Sequence, residues 1–355
     1  MDFEVRRDDL HETRVVEGDP PELERGQVLL GVDSFGLTTN NITYALVGES
    51  MNYWDFFPAG DGWGRVPMWG FADVVASEAD GMEEGTRVFG YLPPGTHLVV
   101  RPDRPSPSQF VDASPHRAEL PAAYNRYARV AGDPNYTEEN EDHQMLLWPL
   151  YFTSALIDDF LDDEDFFGAR AVVISSASSR TSSALAYLLS KRGGPEVVGL
   201  TSPGNVEFVE SLGVYDEVVP YEEIGSLPKE PAVYVDMAGN AKVRTAVHEH
   251  FGDELKHDAV VGTTHREELG GAKGLPGPKP KFFFAPSRLK KRAKDWGGEE
   301  VNRRISEPWL PYVEWTRGWL EVAHDSGPEA IERVYLEMLD GKSDPSVGHV
   351  LKPGG

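Results

Sequence analysis

The sequence predicts an α/β protein in two parts, a doubly wound parallel sheet and a separate β-rich barrel. Three observations carry this. Between about residues 150 and 285, short apolar strands alternate with helical stretches at the spacing of parallel strands joined by crossover helices. Before residue 145, segments such as QVLLGVDSFGL, ADVVASEADGMEEGTRVFGYL and THLVVRP alternate in polarity and are broken by Gly and Pro, as in a small barrel. The first strand of the α/β part also runs into a strand-to-helix turn of small residues, where a dinucleotide fold places its phosphate loop.

The strands read in order as AVVIS (Ala171–Ser175), EVVGL (Glu196–Leu200), EVVP (Glu217–Pro220), AVYVDM (Ala232–Met237), AVVGT (Ala259–Thr263) and KFFFA (Lys281–Ala285). Between the first two, TSSALAYLLSKRGG predicts a helix ended by Gly193 and Gly194, and NVEFVESLG predicts the next, closed by Gly213. Beyond about residue 290, PWLPYVEWTRGWLEVAHD and PEAIERVYLEMLDG are amphipathic, and SVGHVLKP reads as a strand returning to a sheet. The division expected is a barrel domain over 1–145, completed by 310–355, and a dinucleotide domain over 146–309.

The 355 residues carry 34 Lys and Arg against 59 Asp and Glu, a formal charge of −25. So acidic a chain repels phosphate backbones, which argues against a general nucleic-acid binder. With no cysteine, disulfides, thiolate nucleophiles and cysteine-bound zinc or iron–sulfur clusters are excluded together. The charged N-terminal stretch lacks the apolar core of a secretory signal. No apolar run approaches the roughly 20 residues of a membrane span. A cytoplasmic protein with no membrane partner is expected.

Two charge clusters stand out. DDFLDDEDFFG (Asp158–Gly168) reads as a solvated helix face. The basic cluster Lys279, Lys281, Arg288, Lys290, Lys291, Arg292 and Lys294 reads either as a charged surface helix or as an attractor of an anionic ligand at a strand end.

The turn after AVVI spans Ser175 to Ser183 and is small throughout except for Arg180 and Thr181. Its serines add hydroxyl donors to the helix N-terminal amides that bind anions. The alternative is a serine-capped structural helix. NAD sites hold an acid about 20 residues further on, at the end of the second strand. Here GLTSPGN puts Thr201 and Ser202 there, a neutral end that favours a 2′-phosphate, with Arg180, Lys191 or Arg192 to supply charge.

The stretch from Glu141 to about Gly239, with MLLWPLYFTSAL, GARAVVISSAS, EVVGLTSPGNVEFVESLG and VYVDMAGN, resembles the cofactor domain of the medium-chain dehydrogenase/reductase superfamily. It is similar in particular to the zinc-free quinone oxidoreductase and enoyl reductase branch. GTRVFGYLP (Gly85–Pro93) and GKSDPSVGHVLKP resemble segments of that superfamily's GroES-like barrel. TNNITYALVGE, YWDFFP, PKFFFAPSRLKKR and DWG resemble an uncharacterised bacterial and fungal family within it.

The resemblance implies NADP as cofactor, a small-molecule substrate and a homodimer formed through the Rossmann sheet. It implies a cofactor site of Thr153, Ser176, Ala177, Ser178, Ser179, Arg180, Thr181, Ser182, Thr201, Ser202, Ala238, Gly239, Gly262 and Thr263. The branch's glycine-bearing phosphate loop falls on Ala177, Ser179 and Ser182, with serine at both glycine positions. Its His-Glu segment falls on Gly70, Phe71 and Ala72 without that pair, so no metal site is expected. The segment near its active site falls approximately on Thr39 to Tyr44, which matches Tyr44 to that segment's tyrosine and sets Asn40 and Asn41 beside the position of its asparagine.

Two other motifs are weaker. Tyr187 and Lys191 have the spacing of a short-chain reductase base but lie on the helix after the loop. His248, Glu249, His250 and His257 resemble a metal cluster, yet residues i and i+2 of a helix point apart, and solvent-facing side chains are the better reading. Tyr44 reads either as a proton donor or as a core aromatic. Trp54, Phe56 and Phe57 read as an apolar wall or as barrel core.

The function expected is an NADPH-dependent, zinc-independent oxidoreductase, with its cofactor in the cleft between the domains, delivering hydride to a carbonyl, enone or quinone. The alternative is a nucleotide-binding module of the same fold without turnover.

Overall fold

In a computed structural model the chain divides into two compact units, residues 1–146 with 320–355, and residues 147–319. The residues described are 1–133, 136–261 and 274–354.

The second unit is built on six parallel strands: Ala171–Ile174, Glu196–Thr201, Glu217–Pro220, Ala232–Asp236, Leu255–Val260 and Lys281–Phe282. Their spatial order is third, second, first, fourth, fifth, sixth, which is the Rossmann arrangement. Every residue of the first strand is buried, as a strand covered on both faces requires. The order reverses between the first and fourth strands, where Ile174 lies opposite Gly199 on one side and Val235 on the other. The carboxyl ends at this reversal are where such sheets take ligands.

The helix Arg180–Arg192 starts at a Ser179 N-cap and stops at Gly193, whose φ of 70° suits glycine. The fifth strand begins earlier than expected, at Leu255, because its buried His257 and Asp258 disguise it as polar. Gly262 and Thr263 lie outside the described residues. The sixth shortens to Lys281–Phe282, since Pro286 suits the first turn of the helix Ala285–Trp296 and cannot donate to a ladder.

The first unit is a GroES-like, β-rich fold. Its main sheet runs through Glu321–Ser326, Val347–Lys352, Val28–Leu37, Met68–Ser77, Arg87–Leu92, Arg126–Arg129, Gln109–Asp112 and Pro102–Asp103. The C-terminal strand returns antiparallel to Val28–Leu37, with His349 opposite Leu37. A core including Phe3, Leu30, Phe35, Met68 and Tyr127 fills it.

PWLPYVEWTRGWLEVAHD is not one amphipathic element. Its first half is the helix Trp309–Thr316, packed in the second unit with Tyr312 against Tyr151 at 4.9 Å. Its second half is the strand Glu321–Ser326 of the first unit.

The acidic run is solvated only in part: Asp162 to Asp165 are exposed, whereas its inner carboxylates are paired. Asp158 pairs with Arg192 at 2.6 Å, Asp159 with Arg292 at 2.8 Å, and Asp163 with Arg288 at 2.8 Å. Arg288 and Arg292 are each only 7% exposed, so the inner part of the basic cluster neutralises this run instead of facing an anion. Among the described residues, no helix is long and apolar enough to cross a membrane.

Candidate functional site

In the second unit, the turn following the first strand is held by hydrogen bonds from almost every residue. Ser175 Oγ accepts from the backbone N–H of Met237 and Ala238, each at 3.0 Å, and donates to Asp236 Oδ1. This ties the first strand to the fourth at the order reversal. Asp236 is fully buried, accepts from Gly239 N–H at 3.0 Å, and pairs with the buried Arg244 at 2.6 Å. Gly239 has φ of 61°, so this turn needs glycine.

Ser176 adopts φ of 53°, a backbone state that glycine would take at less cost. Its N–H donates to the Tyr221 hydroxyl at 3.0 Å. Ala177 receives the Tyr215 hydroxyl on its carbonyl at 2.9 Å. The loop lies so close to the second strand that a Cβ on Gly199 would stand 3.0 Å from Ala177 Cβ. Ser179 Oγ accepts from Ser182 N–H at 3.2 Å, and Ser182 Oγ donates to the Ser175 carbonyl. Serine at the two glycine positions therefore closes the helix cap on itself.

Asn205 Nδ2 donates to both Ser178 Oγ and Ser202 Oγ at 3.1 Å, which gathers a neutral polar group at the ends of the first two strands. Thr201 is buried, and its hydroxyl makes no hydrogen bond among the described residues. The Thr181 carbonyl accepts from Ser154, whereas Thr153 bonds back to Pro149 within its own helix. Arg180 opens the helix, and burial pulls its guanidinium down to about 10. Arg192 is committed to Asp158.

In the first unit, the helix Thr39–Leu46 carries all three residues matched to an active site. Asn41 serves the helix cap: its Oδ1 accepts from Thr38 N–H at 2.7 Å and its Nδ2 donates to the Pro67 carbonyl at 2.8 Å. Asn40, one turn before Tyr44, donates Nδ2 to the Tyr44 hydroxyl at 2.7 Å, and Trp69 Nε1 donates to the same oxygen at 3.4 Å. Tyr44 is 6% exposed and packs with Phe56, Phe57 and Tyr91. Burial pushes its phenol well above the ordinary tyrosine range, while the two N–H donors act in the opposite direction. Trp54 joins the barrel core instead.

Of the group His248, Glu249, His250 and His257, Glu249 is exposed, but His248 and His257 are not solvent-facing. His248 is fully buried, with one ring nitrogen 2.8 Å from the Pro276 carbonyl and the other 2.9 Å from Asp258. His257 is 5% exposed and stacks on Phe167 at 4.1 Å. Among the described residues, no group of three His, Asp or Glu side chains is arranged to hold a metal.

Sequence reasoning did not single out Asn205, Tyr215 or Tyr221 in the loop, nor Tyr53, Trp69 and Tyr124 around Tyr44. The only signal for Asn205 was its place in GLTSPGN, just past the strand end.

The fold recurs among solved structures. CurA from Vibrio vulnificus superposes with a TM-score of 0.63 at 15% identity, over 97% of this chain and 94% of that one. YhdH of E. coli K-12 with bound NADPH gives 0.53 at 16% identity, over 99% of both. The quinone oxidoreductase from Coxiella burnetii gives 0.55 at 13% identity, over 99% and 98%. These likenesses show the fold, a Rossmann unit with a GroES-like unit. No curated protein matches the sequence. Residues 35–344 match the family described as "Protein of unknown function (DUF2855)", and the chain belongs to that family.

Proposed function

We propose that this protein is an NADPH-dependent, zinc-independent oxidoreductase that reduces a carbonyl, enone or quinone, with Tyr44 as the donor to the substrate oxygen. The observation that carries the reading is the set of bonds at Tyr44. A phenol oxygen offers two lone pairs and one proton. Asn40 Nδ2 and Trp69 Nε1, both pure donors there, take the lone pairs. The Tyr44 proton is thus the part of the hydroxyl left to bond an acceptor.

The second unit fits a phosphorylated dinucleotide. Its loop adopts the positive φ at Ser176 and opens a helix N-terminus at Arg180. The second strand ends in Thr201, Ser202 and Asn205 with no acid among them, which suits a 2′-phosphate. YhdH, of similar fold, is described with bound NADPH. The residues we assign to the cofactor are Ser176 to Ser182, Thr201, Ser202, Asn205, Ala238 and Gly239; Arg180 supplies positive charge.

When bound, NADPH supplies the hydride. Tyr44 then gives its proton to the substrate oxygen as charge develops there, and the N–H groups of Asn40 and Trp69 stabilise the phenolate that remains. In water this phenolate would be solvated; here those two donors take that place, because burial alone opposes it.

The test is NADPH consumption by the pure protein with cinnamaldehyde, menadione and phenanthrenequinone as probes. Reduction of at least one, with NADPH oxidised in equal amount, supports the reading. NADPH binding without oxidation by any of the three favours a nucleotide-binding module.

A further inference from the structure

A buried acid must be recharged after each turnover, and the groups bonded to Tyr44 do not all serve. Asn40 and Trp69 present amide and indole N–H groups, which do not release protons at ordinary pH. Phe56 and Phe57 have none to give. Tyr91 is fully buried, so its hydroxyl has no route to solvent.

Two phenols remain. The Tyr53 ring lies 4.6 Å from that of Tyr44, and the Tyr124 ring meets Tyr44 edge-on at 6.4 Å. The hydroxyls of Tyr53 and Tyr124 are 3.2 Å apart and share a hydrogen bond. Both residues are only half-buried, whereas Tyr44 is buried. The phenols therefore step from the closed interior of the barrel unit towards its surface. Tyr53 comes from the short helical turn Tyr53–Phe56 and Tyr124 from Ala122–Asn125, two segments that the sequence separates and the barrel joins.

We propose that Tyr124 and Tyr53 form a proton relay that restores the Tyr44 hydroxyl from solvent. This rests on the reading of Tyr44 as the donor to substrate. After Tyr44 has lost its proton to the substrate oxygen, the Tyr124 O–H bond breaks and a new O–H bond forms at Tyr44. Tyr53 passes its proton to Tyr124 in the same way, and water reprotonates Tyr53. No electrons move in these steps. Their sum is one proton carried from solvent to Tyr44, matching the one delivered to product. All three phenols are shifted upward by burial, so each transfer joins groups displaced in the same direction. Tyr124 shares a hydrogen bond with Tyr53, and its ring lies edge-on to that of Tyr44. Tyr124 and Tyr53 are positioning residues that act through Tyr44.

The relay separates the first turnover from those that follow. Tyr124→Phe keeps the ring and removes the hydroxyl. With the probe of the above panel that is reduced fastest, rapid mixing of the Tyr124→Phe protein with NADPH should show a first turnover at the wild-type rate. Steady-state turnover should fall by about tenfold or more. Imidazole added to the buffer, a small diffusible proton donor, should restore much of the loss. Tyr53→Phe should behave alike. Unchanged steady-state turnover in Tyr124→Phe, or slowing of the first turnover and steady state together without rescue, overturns the relay. Tyr44→Phe is the separate control: if it keeps the wild-type first turnover, the parent reading fails, whatever Tyr124→Phe does.

Discussion

The Asn40 amide donates to the Tyr44 hydroxyl at 2.7 Å, one helical turn along the same face. This bond sets the direction of the Tyr44 proton and makes the pair, more than the phenol alone, the unit to test. Asn40→Ala keeps the acid but removes one donor to its phenolate. Turnover should fall by about fivefold to thirtyfold, a loss of roughly 1 to 2 kcal/mol for one hydrogen bond to a charged group. NADPH affinity should not change. Steady-state kinetics beside a fluorescence titration checks both.

Tyr44→Phe should lower turnover by at least about tenfold. The ring contacts with Tyr53 and Tyr91 stay, so thermal stability should hold within a few degrees. A large drop in melting temperature together with the activity would make the tyrosine a packing residue.

Gly199 lets the second strand approach the phosphate loop. A methyl group there would meet Tyr215 Cδ1 at 2.8 Å and Ala177 Cβ at 3.0 Å. Gly199→Ala should therefore destabilise the protein by about 1 to 3 kcal/mol through overpacking. It should also weaken dinucleotide binding, since Ala177 is part of the loop. Urea unfolding and a binding titration measure the two effects.

Asp236 and Arg244 are 0% and 2% exposed and pair at 2.6 Å. Arg244→Met leaves the carboxylate buried without its cation, at a cost of about 3 to 5 kcal/mol. Asp236→Asn with Arg244→Met, which removes both charges, should recover part of that loss. A double-mutant cycle by chemical unfolding checks this.

His257 is held neutral: burial, aided by Lys281, lowers its imidazole to about 4. A histidine lowered below its unfolded value near 6.5 contributes stability that is present above about pH 6.5 and lost as pH falls towards about 4. The wild type should lose on the order of 3 kcal/mol more than His257→Phe across that window. Equal slopes of stability against pH in the two proteins would contradict the assignment.

The parallel sheet was legible because its central strands carry uninterrupted apolar runs, AVVI and AVYV among them, as strands covered on both faces require, whereas the fifth showed only from Ala259 onward because His257 and Asp258 interrupt it. Tyr44, Asn40 and Asn41 were legible only as a cluster. Nothing in the order TNNITY tells that Asn41 is spent on the cap and Asn40 on the phenol, because the cap partner Pro67 and the indole of Trp69 arrive from elsewhere in the barrel. His248 and His257 were misread for a related reason. The helical offset of i and i+2 decides whether two side chains share a face, and says nothing about what covers that face. The acidic run at 158–168 and the basic cluster at 279–294 were read separately, the first as a solvated face and the second as a surface helix or an anion attractor, whereas Arg288 reaches Asp159 across 129 positions. Interactions that span the chain leave no local pattern.

Titration of the pure protein with NADPH and with NADH, followed by nicotinamide fluorescence, reads out whether the second unit takes NADPH. Saturable binding of NADPH at least about tenfold tighter than NADH, about 1.4 kcal/mol, is expected, with that preference shrinking or inverting in Ser202→Asp because the new carboxylate repels the 2′-phosphate. Failure of the protein to bind either nucleotide, or equal affinity for both in the wild type, would contradict it.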